Sequence, residues 1–271
     1  MAARMAPVII AARRLAAAAV ALLLLAAPQP PAAAADAGAW DEAHATFYGD
    51  ETGAETMQGA CGYGNLFEQG YGLSTTALSS ALFAGGDACG ACFELRCHGS
   101  PYCKPAAAAG GGTAAATVTA TNLCPANYSK PNENWCNPPL RHFDLSKPMF
   151  LRLVTDFHVG IVPVAYRRVP CAKRGGVRFE MKGDGRGWVA VLVFNVAGAG
   201  DVEAMAVKGS RDGQWMDMAR NWGQIWNGDG RLAGQGLSFR VTTSDGRAVV
   251  FDDVVPPTWT VGQTFEGKQQ F

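Results

Sequence analysis

The sequence predicts a chain of short β-strands in two domains, the first held by disulfides and the second a cysteine-free β-sandwich. Three observations carry this. All eight cysteines, at 61, 89, 92, 97, 103, 124, 136 and 171, precede residue 172. The remainder contains none and breaks into short β-type segments punctuated by glycine turns. Ahead of both stands an export leader, which sets the oxidising compartment in which disulfides persist.

The leader is read at residues 1–35. Arg4, Arg13 and Arg14 precede an apolar run from Leu15 to Ala27, and a small-residue segment reaches a cleavage zone near Ala35. The run is too short for a membrane span. The mature chain, Asp36 to Phe271, then holds 20 basic and 23 acidic residues, a net charge of −3. Nucleic acid is not an expected partner, because phosphate binding needs a basic surface. A neutral polymer suits this balance better.

In the first domain, residues 48–72 read as loops and turns. Leu73, Leu78 and Leu82 are spaced for one short helix, ended by Gly85 and Gly86. Residues 92–97 and 117–123 read as strands, as do 149–154 and 160–168. The Ala/Gly-rich insert 104–116 reads as an exposed loop without function. Four prolines and two flanking cysteines make 125–139 a cross-linked loop, with Asn127-Tyr128-Ser129 a glycosylation sequon. Cys89-x-x-Cys92 has a zinc-ligand spacing, but no second pair follows at finger distance, so disulfides are favoured and no metal is expected. Cys171 to Gly176 is the linker candidate. Beyond it, segments 177–181, 188–196, 202–208, 214–218, 237–243 and 248–251 read as sandwich strands, separated by turns such as Gly183-Asp184-Gly185 and Ser244-Asp245-Gly246.

Two sets of residues are candidates for chemistry. Asp144, between Phe143 and Leu145, is placed where desolvation would raise its pKa and suit an acid. His142, two residues away on the same face of an extended segment, is placed to tune it or to bond backbone. Glycoside hydrolysis requires two carboxylates, and Asp50, Glu51, Glu55 and Asp156 read more simply as surface acids. No GxSxG elbow or HExxH motif occurs. The second set is aromatic. Five of the seven tryptophans follow residue 176. Trp188 and Trp215 stand at strand edges near turns, where a ring can face a sugar or pack inward. Trp222 and Trp226, four apart, read as packing residues.

Long motifs then carry a resemblance. ATFYG at Ala45, GACGYGNL at Gly59, CGACFELRC at Cys89, TATNLCP at Thr119, WCNPP at Trp135, HFDLSKPMF at His142, GIVPVAYRRVPC at Gly160, RNWGQIW at Arg220 and GQTFEGKQ at Gly262 resemble the plant α-expansins, the expansin A subfamily. The likeness spans essentially the whole mature chain. It implies a six-stranded double-psi β-barrel at 40–171, similar to family 45 glycoside hydrolases, a linker at 172–176, and an immunoglobulin-like cellulose-binding β-sandwich at 177–266. It implies the pairs Cys61–Cys89, Cys92–Cys171 and Cys97–Cys103, with Cys124–Cys136 remaining. Thr46, Tyr48 and Asp144 match groove residues, Asp144 the hydrolases' acid, while their base has no counterpart. Trp188 and Trp215 match a cellulose-binding row.

The implied activity is non-hydrolytic loosening of plant cell walls at acidic pH, with no cofactor. The implied partners are cellulose microfibrils and xyloglucan-type matrix glucans. The protein is further expected to be a monomer in the wall, peripherally associated with membrane, with Asn127 the glycosylation acceptor that the sequon offers. The alternatives are a family 45-like endo-β-glucan hydrolase and a barrel protein of signalling or defence. The chain departs from the pattern in an acidic loop from Asp50 to Glu55, in Gln58, in the alanine/glycine insert and in Asp156 and His158.

Overall fold

The structure, a computed structural model, describes residues 39–107, 112–131 and 133–271. The leader expected at 1–35 and the tip of the insert lie outside these residues. Two β bodies follow one another. The first is a closed barrel of six strands: β1 (Asp41–Tyr48), β2 (Thr75–Ser79), β3 (Cys92–Cys97), β4 (Ala115–Cys124), β5 (His142–Ser146) and β6 (Val162–Arg168), in the spatial order β1-β5-β2-β4-β3-β6. The β1–β5 and β2–β4 pairs are parallel and the other four antiparallel. Closure leaves no unpaired edge. Alternate residues such as Ala45, Leu78, Phe93, Phe143 and Leu145 fill the interior.

Two elements differ from the sequence expectation. The segment 73–82 is not one helix. It forms β2, and only Ser80–Phe83 turn as α1. Leucine spacing is a local signal. Here β2 fills the gap between β5 and β4, and both neighbours' backbone groups need a partner. Conversely, 149–154 is not a strand but part of α2 (Lys147–Leu153), with Pro148 in its first turn and Met149, Phe150 and Leu153 buried along one side. Its apolar run is too short for periodicity alone to separate helix from strand.

Disulfides join Cys61 to Cys89, Cys92 to Cys171, Cys97 to Cys103 and Cys124 to Cys136, and among the described residues no cysteine is free. The zinc reading of Cys89 and Cys92 is thereby excluded. The longest closure spans 79 residues and ties β3 to the segment after β6. Long closures remove the most chain entropy from the unfolded state.

The second body contains β7 (Arg178–Gly183), β8 (Trp188–Phe194), β9 (Val202–Gly209), β10 (Trp215–Trp222), β11 (Ile225–Asp229), β12 (Leu237–Thr243), β13 (Ala248–Val255) and β14 (Thr264–Glu266). Their order is β13-β12-β9-β10-β11-β8-β7-β14. The sheet doubles over, so that Phe179 of β7 stacks on Phe239 of β12 at 4.7 Å, and Val191, Val207, Val241 and Phe251 share the core between the layers. The chain goes on packing beyond Glu266: Val177 N donates to Gln269 O, and the Gln270 side chain reaches Ala197 N and Asn195 O.

The two bodies meet without a free tether. Cys171 and Gly198 exchange backbone hydrogen bonds, and Arg168 pairs with Asp201 at 2.7 Å. Buried Gln224 donates its backbone N–H to Cys61 O and its side-chain amide to Cys89 O, each at 3.0 Å, over the Cys61–Cys89 bridge. Gly90 and Gly200, both at positive φ, meet backbone to backbone. A Cβ on Gly200 would lie 2.4 Å from both Gly90 O and Cys171 Sγ. Gly200→Ala is therefore expected to cost about 2–4 kcal/mol through clash and backbone strain. Urea unfolding checks it, and an unchanged midpoint would remove this contact from the junction.

Candidate functional site

The barrel's outer surface holds the polar candidates. On β1, Ala43 and Ala45 face the core, so His44, Thr46 and Tyr48 face out. On β5, Phe143 and Leu145 face in and Asp144 faces out. Parallel pairing places Thr46 opposite Asp144 and His44 opposite His142. The row continues from Asp144 to Ala77 on β2 and from Ala77 to Asn122 on β4. A bulge between Thr76 and Ala77 in the β2–β4 register skips Thr121 and brings Asn122 onto this row.

Hydrogen bonds join three of these groups. The Thr46 hydroxyl donates to Asp144 Oδ1 at 2.7 Å, and His142 Nε2 lies 2.8 Å from that hydroxyl oxygen, Thr46 Oγ1. Thr46 has one proton to give, so His142 Nε2 carries the proton in this arrangement. That leaves Nδ1 as the bare nitrogen, buried without a partner. Burial pushes the Asp144 carboxyl above its ordinary value, partly offset by the Thr46 bond. Burial and the nearness of His44 bring His142 down to about 4. Burial pushes Tyr48 up to about 12, with the Asn122 side chain opposing and the Asp144 charge adding. The Tyr48 hydroxyl makes no bond of good geometry. The site therefore favours uncharged groups: a neutral imidazole, a phenol and a carboxyl inclined to keep its proton.

The other acids do not join this row. Asp50 Oδ2 accepts from Thr52 at 2.7 Å within its own turn, and Glu51 pairs with Lys147 at 2.8 Å. Asp156 accepts from His158 N and faces His158 Nδ1 at 2.7 Å, capping a short 3-10 turn. Among the described residues, no cluster of three or more His, Cys, Asp or Glu is placed to hold a metal.

The second domain presents two of its tryptophans, Trp188 and Trp222, on the side of β8 and β11 that faces the barrel. Val189, Val191 and Val193 of β8 point into the sandwich, whereas Ala190, Leu192 and Phe194 join Ile225 in the barrel's apolar cluster. Trp188 extends this barrel-facing side, 45% exposed, its Nε1 donating to Asn227 Oδ1 at 3.0 Å. Trp215 lies opposite Lys208, and the Lys208 and Arg240 cations stand 5.0 and 5.3 Å from its ring centroid.

The pair at 222 and 226 divides. Trp226 is core, but Trp222, expected to pack, is 48% exposed. A register shift between Arg220 and Trp222 turns β10 so that Trp222 pairs with Ile225 on the barrel-facing side, near Gly62. The four-residue spacing suggested a local stack, and a bulge leaves no mark in hydrophobic periodicity. Trp135 is a further aromatic that sequence reasoning left unassigned. It is 44% exposed, with its ring 4.8 Å from that of His44.

Comparison with known proteins decides the family. Expansin-A24 of Arabidopsis thaliana is 54% identical over 86% of this chain and 72% of its own length. The chain belongs to the expansin-A family. The family model for the expansin C-terminal domain matches residues 177–256 of this expansin, and one described as lytic transglycolase matches 75–166, the stretch that holds Asp144. Its fold is that of the expansin of Clavibacter michiganensis, with a TM-score of 0.62 at 23% identity over 86% of this chain and 98% of the other. A mutant of that bacterial expansin, solved in complex with cellohexaose, aligns with a TM-score of 0.59 at 22% identity and the same coverage. The architecture is a double-psi barrel followed by an immunoglobulin-like sandwich.

The low pKa of His142 has a stability consequence. A histidine held near 4 instead of 6.5 contributes fully above pH 6.5 and loses that contribution as pH falls toward 4. Asp144 works oppositely, costing stability as pH rises through its raised pKa. Between pH 7 and pH 5 the His142 share of the loss is about 2 kcal/mol. His142→Gln, which keeps a donor toward Thr46, is expected to lose less thermal stability over that interval than the parent. An equal loss would place the acid sensitivity elsewhere.

Proposed function

We propose that this expansin loosens plant cell walls at acidic pH without cleaving glucan, by displacing non-covalent contacts between cellulose microfibrils and matrix glucans of the xyloglucan type. The observation that carries the reading is the isolation of Asp144. Glycoside hydrolysis by the inverting or retaining route needs a second carboxylate at a defined separation. The row across β1, β5, β2 and β4 offers threonine, aspartate, alanine and asparagine. The remaining polar groups suit holding a sugar hydroxyl. A protonated Asp144 frees an O–H to donate to a glucan oxygen, and its raised pKa supports that state in an acidic wall. Trp188, Trp222 and Trp215 add apolar faces on which glucose units of cellulose can lie without requiring charge. Expansins of this family are wall-loosening proteins and not hydrolases, and the isolated carboxylate agrees with that class.

This protein acts outside the cell. On the same reading the leader at 1–35 exports it, the barrel is the body 40–171 and the sandwich begins at 177. The protein then works as a monomer in the wall or peripherally on the membrane. Asn127 supports glycosylation by geometry: it is exposed, and its Oδ1 accepts from both the amide and the hydroxyl of Ser129.

Two measurements test the proposal. Creep of isolated walls, assayed at pH near 4.5 and near 7 with reducing ends counted on the same sample, should occur at the lower pH without new reducing ends. In Asp144→Asn the amide donates at every pH, so the creep profile should flatten to within about twofold across that range. A variant retaining the parent's acid dependence would show that another group titrates. For the aromatic strip, Trp222→Ala should weaken retention on cellulose by roughly two- to tenfold at unchanged thermal stability. Trp215→Ala should act less, because cations already cover part of that ring. Unaltered retention in the Trp222 variant would remove it from the strip.

A further inference from the structure

We infer that Trp135 forms an additional pyranose-stacking subsite at the His44 end of the barrel groove, taking a neutral hexopyranosyl unit of the same glucan chain. The inference rests on the glucan reading and extends it to a loop that the reading does not use. Trp135 is 44% exposed, a large ring to leave in water between neighbours that are tightly held. The adjacent Cys136 is bonded to Cys124, and its carbonyl accepts from Ser80 N. Asn134 Oδ1 accepts from Cys136 N at 2.8 Å. Buried Asn137 accepts from Asn127 N and donates to Asn127 O and Lys130 O. The indole is thus presented from a cross-linked support with little freedom to lose on binding.

Its position is set by the strand register. The ring leans against His44 at 4.8 Å and 36°. His44 precedes Thr46 by two residues on β1, about 7 Å along the strand, a distance on the scale of one sugar ring. A chain hydrogen-bonded at Thr46 and Asp144 therefore reaches Trp135 with its next unit. Beside the indole is a cleft of about 380 Å³ lined by Asn134, Asn137, Pro138, Pro139 and Leu140 among others, with no charged side chain. An uncharged wall with an aromatic face suits a neutral pyranose and offers nothing to a uronate.

The test uses the full-length protein and cellohexaose as probe. Trp188→Ala, Trp215→Ala and Trp222→Ala, introduced together, silence the sandwich strip so that titration calorimetry reads the barrel. On that parent, Trp135→Leu should weaken binding by roughly two- to tenfold, while Trp135→Phe, which keeps an aromatic face, retains most of it. In the otherwise native protein Trp135→Leu should slow wall creep. Equal affinity of the leucine variant and its parent would overturn the subsite alone. Leucine and phenylalanine variants falling together with lower thermal stability, or failing to fold, would make Trp135 a packing strut. A parent with no affinity for cellohexaose would overturn both the subsite and the glucan-gripping role of the barrel.

Discussion

The site depends on the parallel register between β1 and β5. That pairing sets Thr46 opposite Asp144, although 98 residues separate them, and sets His44 opposite His142. A slip of one strand by one residue would turn that strand's polar groups into the core and its apolar groups into solvent. The interior residues on either side of Asp144, Phe143 and Leu145, are fully buried, so the core enforces the register that the surface uses. The bulge opposite Ala77 completes the row by turning Asn122 outward. Packing and function are thus coupled through the two-residue period of the strand.

That register also determines the electrostatics. With Asp144, His142 and Tyr48 crowded together and partly desolvated, each is pushed toward its uncharged form, for the common reason that burial penalises charge. Thr46 is the shared pivot, donating to the carboxylate and lying within bonding distance of the imidazole. An array of neutral donors and acceptors suits reversible contact with sugar hydroxyls better than bond cleavage, which needs an acid and a base held in opposite states.

The second domain adds a surface to this groove because the two bodies share apolar contact. One face of β8 and β11 is divided along its length, Leu192, Phe194 and Ile225 meeting the barrel and Trp188 remaining exposed. The junction relies on backbone proximity at Gly90 and Gly200, which excludes a side chain, and on Gln224 over the Cys61–Cys89 bridge. The cysteine-rich segment therefore supports the docking of the sandwich as well as the barrel wall.

By itself the sequence determined what local chemistry can encode. Cysteine distribution marked the stapled body, glycine turns and β-branched runs marked strands such as 117–123 and 237–243, and the long motifs carried the family and through it the barrel. Asp144 stood out because an acid between Phe143 and Leu145 is unusual. Only the tertiary structure decided β2 and α2, since a strand is defined by the neighbours whose hydrogen bonds it completes and the short apolar runs at 73–82 and 149–154 fit either form. Only the structure decided that Trp222 is exposed and that Trp135 adjoins the groove. Both depend on a bulge or on a cross-linked loop meeting a distant strand, and neither contact is encoded at helical or strand spacing.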